Sequence, residues 1–404
     1  MTRVPLQVLI AGGGVAGVEA ALRLHALAGD RVRMELLSPR AELVDRPLQV
    51  REPFDGTFAP RLPLAHLAAR DIRVREDALE SVEAAHGRVR TRSGARIGYD
   101  RLLVATGAPL TVAVPGALAF GGPTGSGRFA RVMRRLRDAG SGRLALVVPP
   151  GPGWSLPLYE LALLAAPRLP GVEVLVVTPE ARPLATFGAA AADAVAELLA
   201  AAGVRVHTEA VATAAVDGAL ELADGTREPA DAVVAGPAVT GPWLHGLPAD
   251  MEGFVVVDRH GAVPGCPGVY AAGDVTAGPI KQGGLAAQQA DAAATAIAAA
   301  AGVPVPPAPE ACVLRAVLLT GGAANGVRPA DAPGGRGGDA APAGWPPEGS
   351  PLYLRAELVQ GRPRHSVASR EALWWPPVKL AAHHLASFLV SGGESHEPLV
   401  DRAR

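Results

Sequence analysis

Three short stretches hold the residues of this 404-residue chain whose types and spacing point to chemistry. The first is Gly12-Gly13-Gly14-Val15-Ala16-Gly17, which closes the apolar run Leu6 to Ala11 and opens a helical pattern, Val15 to Leu27. Between a strand and a helix, such a turn binds a pyrophosphate. Gly12 permits the tight turn, Gly14 lets the backbone approach the phosphates, and Gly17 lets the helix pack closely on the strand. The helix N-terminus adds open N–H groups and a partial positive charge. The second stretch is Leu103-Val104-Ala105-Thr106-Gly107, a buried strand running into a turn. The third is Val269-Tyr270-Ala271-Ala272-Gly273-Asp274. Asp274 follows an apolar strand, where a carboxylate is costly unless something bonds to it. It suits a ligand's hydroxyls or, failing that, caps the next helix. A glycine turn alone arises readily in a chain this rich in Ala and Gly; the three stretches in this order arise far less often.

This ordered set resembles the two-dinucleotide-domain flavoproteins of the pyridine nucleotide–disulfide reductase superfamily. Within it the chain looks closest to the branch of sulfide:quinone oxidoreductases and type II NADH dehydrogenases. Pro279-Ile280-Lys281-Gln282-Gly283-Gly284-Leu285-Ala286-Ala287-Gln288-Gln289-Ala290, directly after Asp274, and Arg46-Pro47-Leu48 carry that likeness. The resemblance covers roughly the first three quarters of the chain. It implies an α/β fold of two Rossmann-like dinucleotide-binding domains, the FAD domain discontinuous, plus a small C-terminal α+β segment. It also implies FAD resting on Gly12, Gly14, Ala16, Gly17, Ala105, Thr106, Gly107, Gly273 and Asp274, with Arg46 and Pro47 near the flavin. Asp274 would accept hydrogen bonds from the ribityl chain. A helix N-terminus at Lys281 and Gln282, aimed at the flavin pyrimidine, would stabilise the negative charge that develops on reduction. Glu160 matches a glutamate that quinone-reducing relatives place near the flavin; a solvated glutamate in a first helical turn is the plainer reading.

The chain departs from the pattern in three places. An acid is usual about 20 residues past the last glycine, to bind the adenosine ribose. Here Leu36-Leu37-Ser38-Pro39-Arg40 stands, so Ser38 would take a hydroxyl and Arg40 the adenine or a phosphate. The second glycine turn, Pro149-Pro150-Gly151-Pro152-Gly153-Trp154-Ser155-Leu156, has Leu156 where its third glycine belongs, and prolines that lack backbone donors. Glu180 could meet a ribose there, yet Arg182 lies beside it, and the pattern fits neither NADH nor NADPH cleanly. NAD(P)H therefore stays an open second cofactor. Finally, the cysteine pair that sulfide chemistry needs would fall in the Gly153–Ser155 turn and near Leu318, and neither position is a cysteine. Nor is there a Cys-x4-Cys pair on the first unit's helix, which excludes a disulfide reductase of the glutathione reductase type. Cys266 and Cys312 read as structural thiols.

The elements that must position these residues read as two nucleotide-binding halves. The expected boundaries are 1–115 for the first part of the FAD domain, 116–252 for the second dinucleotide unit, 253–312 for the return to the FAD domain, and 313–404 for a C-terminal segment. Within the last, 323–350 is poor in large apolar residues and reads as a mobile loop. Strands are expected at 33–37, 99–107, 144–148, 172–177, 232–237 and 254–258, and helices at 128–139, 158–166, 189–202 and 285–300. Trp374-Trp375-Pro376-Pro377, with Leu380, Leu385, Phe388 and Leu389, reads as an amphipathic tail that packs on the FAD domain or docks at a membrane interface. His383-His384 lacks further ligands at metal spacing, so no metal site is expected.

The formal net charge of −1 predicts neither nucleic-acid binding nor a pull toward anionic lipid. No uncharged apolar run reaches spanning length. Two cysteines fit a reducing compartment, and a first strand starting at residue 6 leaves no room for a signal sequence, so a cytoplasmic location is expected. The expected activity is that of an FAD-dependent oxidoreductase taking electrons from a small-molecule donor and passing them to a quinone-like acceptor. The alternative is a flavin-binding scaffold or redox sensor without efficient turnover. Homo-oligomer formation and peripheral membrane contact stay open.

Overall fold

The computed structural model describes residues 4–56, 58–122, 124–306, 311–320, 352–359 and 362–369. The expected loop 323–350, the tryptophan-bearing tail and His383-His384 lie outside the described residues.

Two five-stranded parallel sheets organise the chain. The first places 269–271, 101–104, 6–11, 32–38 and 72–76 side by side in that order. The second orders 118–119, 232–235, 142–147, 172–177 and 205–207 in the same way. Their strands are nearly continuous aliphatic runs because both sheet faces are covered. In the first sheet Val8, Ile10, Leu36 and Leu103 pack toward the helices Val15–Ala28 and Gly283–Ala300. Leu9, Ala11, Leu37 and Val104 face the other way, against Leu79, Val89 and Val255. The two helices touch through Ala20, Ala21, Ala290, Ala293 and Ala294, all buried, and small side chains are what allow so close an approach. Each unit also carries a three-stranded antiparallel flap, 79–98 and 212–229; a strand pair around 206–222 is legible in the sequence, and the first flap is not. A third antiparallel sheet joins Cys312–Leu318, Leu352–Val359 and Arg362–Ser369.

Three expected elements differ. The helix Gly283–Ala300 begins at its two glycines and not after them, because Gln282 caps it, its side-chain oxygen accepting from Leu285 N at 2.8 Å. Within 254–258 only Val255 is bridged, to Ala249 and to Thr276, in place of a strand. Asp258 turns the chain there, its carboxylate accepting from the backbone N–H groups of His260 and Ala262 at 2.8 Å each. Residues 108–127, whose glycines and prolines read as a crossover linker, contain two short strands, 110–111 and 118–119, and the first turn of the helix Gly125–Ala139.

Candidate functional site

Where the strand order reverses about Leu6–Ala11, an α/β sheet opens a crevice beyond its carboxyl ends. The glycine turn sits there and is built for close approach. Gly12 has φ +133°, and a Cβ on it would overlap the Ala105 carbonyl. A Cβ on Gly17 would overlap the Gly12 carbonyl oxygen. Gly14 faces open space, and the N–H groups of Gly13 and Gly14 meet no acceptor among the described residues. Open backbone donors at a helix start are the groups that anions favour. Ala105 is held by its N–H to Ala11 O at 2.7 Å, and Thr106 and Gly107 follow it along the same wall.

Gly273 joins both helix starts to this crevice. Its Cβ would press on those of Ala16 and Ala286, and its N–H donates to Gln289 Oε1 at 2.8 Å. Asp274 projects from this turn with no hydrogen-bond donor on its carboxylate among the described residues. Burial pushes its pKa up, and Lys281 and Arg46 partly hold it down. Arg46 opens onto the cavity with Pro47; its own pKa is lowered by desolvation and by Arg40, against the pull of Asp274. A half-buried acid between two cations, lacking donors among the described residues, is suited to accept hydroxyl hydrogen bonds.

The remaining candidates are more committed than their sequence suggests. Ser38 is buried and donates to the Arg40 carbonyl at 2.7 Å, so its hydroxyl shapes the turn and keeps only acceptor capacity for a ligand. Lys281 is 8% exposed; its Nζ donates to Thr276 O at 2.6 Å and lies 3.6 Å from the Phe254 ring centroid. Desolvation brings its pKa down to about 8, against the pull of Asp274, Asp250 and Glu252. Gln282 spends its oxygen on the helix cap and its amide on Arg315 O at 3.1 Å. What reaches the cavity at this helix start is therefore largely backbone. Glu160 is fully buried on the helix Leu156–Ala165 and accepts from Leu319 N at 3.0 Å, so the solvated reading is wrong for it.

Of the site residues expected from the sequence, all but Gly17 line one cavity of about 920 Å³. The cavity continues from the glycine turn into the second unit, where Phe120, Val148, Trp154, Leu158, Ala316 and Val317 give it apolar walls. Gly153 and Ile280 form a parallel bridge across the junction, with Gly153 N donating to Pro279 O and Lys281 N to Gly153 O, each at 3.0 Å. Sequence reasoning missed Phe254 under Lys281 and the amides of Gln288 and Gln289. Two adjacent amides in an otherwise alanine-rich helix were the available signal.

Paired parallel sheets, a glycine turn at the switch point of the first and an acid beside it define a dinucleotide-binding flavoprotein class. The chain belongs to the pyridine nucleotide-disulphide oxidoreductase family, which it matches over residues 6–300. That family binds FAD, with NAD(P)H-dependent members, and the open donors at Gly13 and Gly14 and the donor-free Asp274 fit that group. A NADH dehydrogenase-like protein of Mycobacterium tuberculosis is 30% identical over 315 residues, 67% of this chain and 73% of that one. The ferredoxin–NAD(+) reductase component of a Paraburkholderia xenovorans biphenyl dioxygenase system is 33% identical over 302 residues, 69% of each. Among solved structures, the sulfide:quinone oxidoreductase of Aquifex aeolicus matches with TM-score 0.75 at 20% identity, covering 90% of this chain and 86% of that one. The putidaredoxin reductase–putidaredoxin complex matches with TM-score 0.63 at 20% identity, covering 88% and 82%. At such identities the two structures speak for the fold alone. No described helix is long and apolar enough to cross a membrane, and no cluster of metal-ligating residues occurs among the described residues.

Proposed function

We propose that this chain is an FAD-dependent oxidoreductase that takes electrons from a small-molecule donor and passes them to a quinone-like acceptor. The observation that carries the reading is the continuity of the cavity. The polar, glycine-walled end that suits a dinucleotide runs without a break into a lobe walled by aromatic and aliphatic side chains. Such walls suit a planar, weakly polar molecule. When bound, FAD supplies the redox chemistry.

The chain's own groups would bind and orient it. Gly12, Gly14 and Ala16 would carry the pyrophosphate end, with Gly17 letting the helix pack behind them, and Asp274 would accept from the polyol. Ser38 and Arg40 border the adenosine, while Arg46, Pro47, Ala105, Thr106 and Gly107 wall the cavity. The start of the helix Gly283–Ala300, held by Gln282, supplies positive potential where negative charge develops. Lys281 adds its charge from a buried seat on Phe254. Glu160, anchored by Leu319, is the carboxyl group placed to hold a proton beside the apolar lobe.

Sulfide is not the donor in this reading. Cys266 packs under the first sheet, Cys312 opens a strand of the C-terminal sheet, and neither lines the cavity. The test is anaerobic photoreduction of the FAD-loaded protein followed by mixing with a soluble quinone. Rapid return of the oxidised flavin spectrum is expected. Protein that takes up no FAD, or reduced flavin indifferent to quinone, would sink the proposal. Flavin that binds but turns over far below about one per second would favour the scaffold or sensor reading.

A further inference from the structure

The second unit repeats the architecture of the first, yet its ligand-binding groups are taken by the protein itself. Glu180, just past the strand Val172–Val177, holds the position where an acid meets a ribose. Its carboxylate accepts from Ser155 Oγ at 3.0 Å, from Thr178 Oγ1 at 3.3 Å, from the backbone N–H of Leu184 at 3.3 Å, and from the hydroxyl of Tyr159. Three of these donors crowd Oε2 and one reaches Oε1, so most of the acceptor capacity of the carboxylate is taken. Tyr159 is fully buried, and burial, then the charge of Glu180, raises its pKa, so it stays a donor.

The turn is partly occupied: the N–H groups of Gly151, Trp154 and Leu156 meet no acceptor among the described residues, but others are withheld. Pro149, Pro150, Pro152 and Pro157 have no N–H to give. Gly153 N–H is bonded to Pro279 O, and Leu158 N–H to Ser155 O. Ser155 stands at the helix N-cap in a helical conformation and makes no cap bond, and its hydroxyl donates to Glu180. Arg182, the residue that would answer a 2′-phosphate, is paired with Asp193. The contrast with the first unit lies in the acid: Glu180 is filled by protein donors, whereas Asp274 has none among the described residues.

We propose that Glu180 is a specificity-determining residue that clamps the second dinucleotide site shut, so that neither NADH nor NADPH binds there and the electron donor is a reductant lacking an adenine dinucleotide. The proposal rests on the flavin oxidoreductase reading above and narrows its donor. The inward hydrogen bonds hold the turn, the helix Leu156–Ala165 and the strand end together, and a dinucleotide would have to break them to find partners. Each broken bond leaves a buried group unpaired.

The test uses the full chain loaded with FAD, under anaerobic conditions. NADH and NADPH are titrated to millimolar concentration while protein fluorescence, heat and flavin absorbance are followed. No saturable binding and no bleaching are expected. Saturable binding, or bleaching by either nucleotide, overturns the proposal while leaving the flavin reading intact. Conversely, photoreduced flavin that ignores quinone sinks the flavin reading and leaves the clamp standing. Glu180→Gln is the second arm, since its amide offers two donors where four hydrogen bonds now arrive. As a clamp it lowers the melting temperature by several degrees with flavin content retained. An unchanged melting temperature in this variant, or a nucleotide affinity that it diminishes, overturns the proposal.

Discussion

At the scale of single residues, the site depends on two charged groups that the fold has removed from water. Asp274 is costly where it stands unless something donates to it. Asp274→Ala should therefore weaken FAD binding by roughly 1–3 kcal/mol, as a lost set of buried hydrogen bonds. Equilibrium dialysis of FAD against wild type and variant measures it, and full flavin content with unaltered affinity would remove Asp274 from the site. Lys281 carries its own signature in pH. Its pKa falls from 10.5 to about 8 through burial. Between those values the unfolded chain holds a proton that the folded chain has released, so this group makes stability rise with pH across that window. Below about pH 8 its penalty is present in full. Tyr99 and the two cysteines, raised by burial, push the other way, so the difference between wild type and Lys281→Met isolates the effect. The apo-protein's melting temperature at pH 7 should be higher in the variant, and the gap should close as pH rises to 10. A gap that is constant with pH would place the Lys281 ammonium in water.

At the scale of elements, one helix start does the organising. The helix Gly283–Ala300 is capped by Gln282, braced by Gln289 on Gly273, and strapped by Gln288 to both backbone groups of Val313, at 2.8 and 2.9 Å. Gln288→Leu leaves that strand's N–H and C=O unpaired, a loss of roughly 1–3 kcal/mol. Thermal unfolding should fall accordingly, and faster proteolysis beyond residue 312 should accompany it; an unchanged melting curve would mean that the strap carries no energy. On the facing helix, Gly17→Ala forces a Cβ into the Gly12 carbonyl. Overpacking of this kind costs about 1–3 kcal/mol, and here it also displaces the phosphate-binding turn. Stability and flavin content should fall together. Loss of stability with flavin binding intact would separate the helix packing from the cofactor site.

At the scale of the whole molecule, function lies in the junction between two similar units. The Gly153–Ile280 bridge welds the second unit's turn to the segment carrying Lys281, and Leu319, just beyond the C-terminal strand, reaches back to Glu160. The two cysteines lie outside this junction. A Cys266→Ser/Cys312→Ser double variant should therefore show unchanged reoxidation of photoreduced flavin by quinone, and wild type should show no sulfide-dependent quinone reduction. Sulfide activity in wild type that disappears in the double variant would return both thiols to the chemistry.

The local signals in this chain were strong because each was written in consecutive residues. The apolar run into Gly12 determined a strand, a turn and a helix; the aliphatic strands determined two covered parallel sheets; and Gly273-Asp274 determined an acid at a strand end. Those features depend on backbone sterics and on side-chain alternation, which operate within a few residues. Long-range pairing was not legible. Glu180 looked like an open ribose ligand because Ser155 and Tyr159 are 25 and 21 positions away in sequence, and only the fold turns their hydroxyls onto it. Lys281 looked like a free charge because Phe254 and Asp274 come from separate turns that the first sheet gathers. Sequence by itself determined which groups could bond. Tertiary structure decided which of them already had, because a buried donor or acceptor takes whatever partner the fold brings within reach.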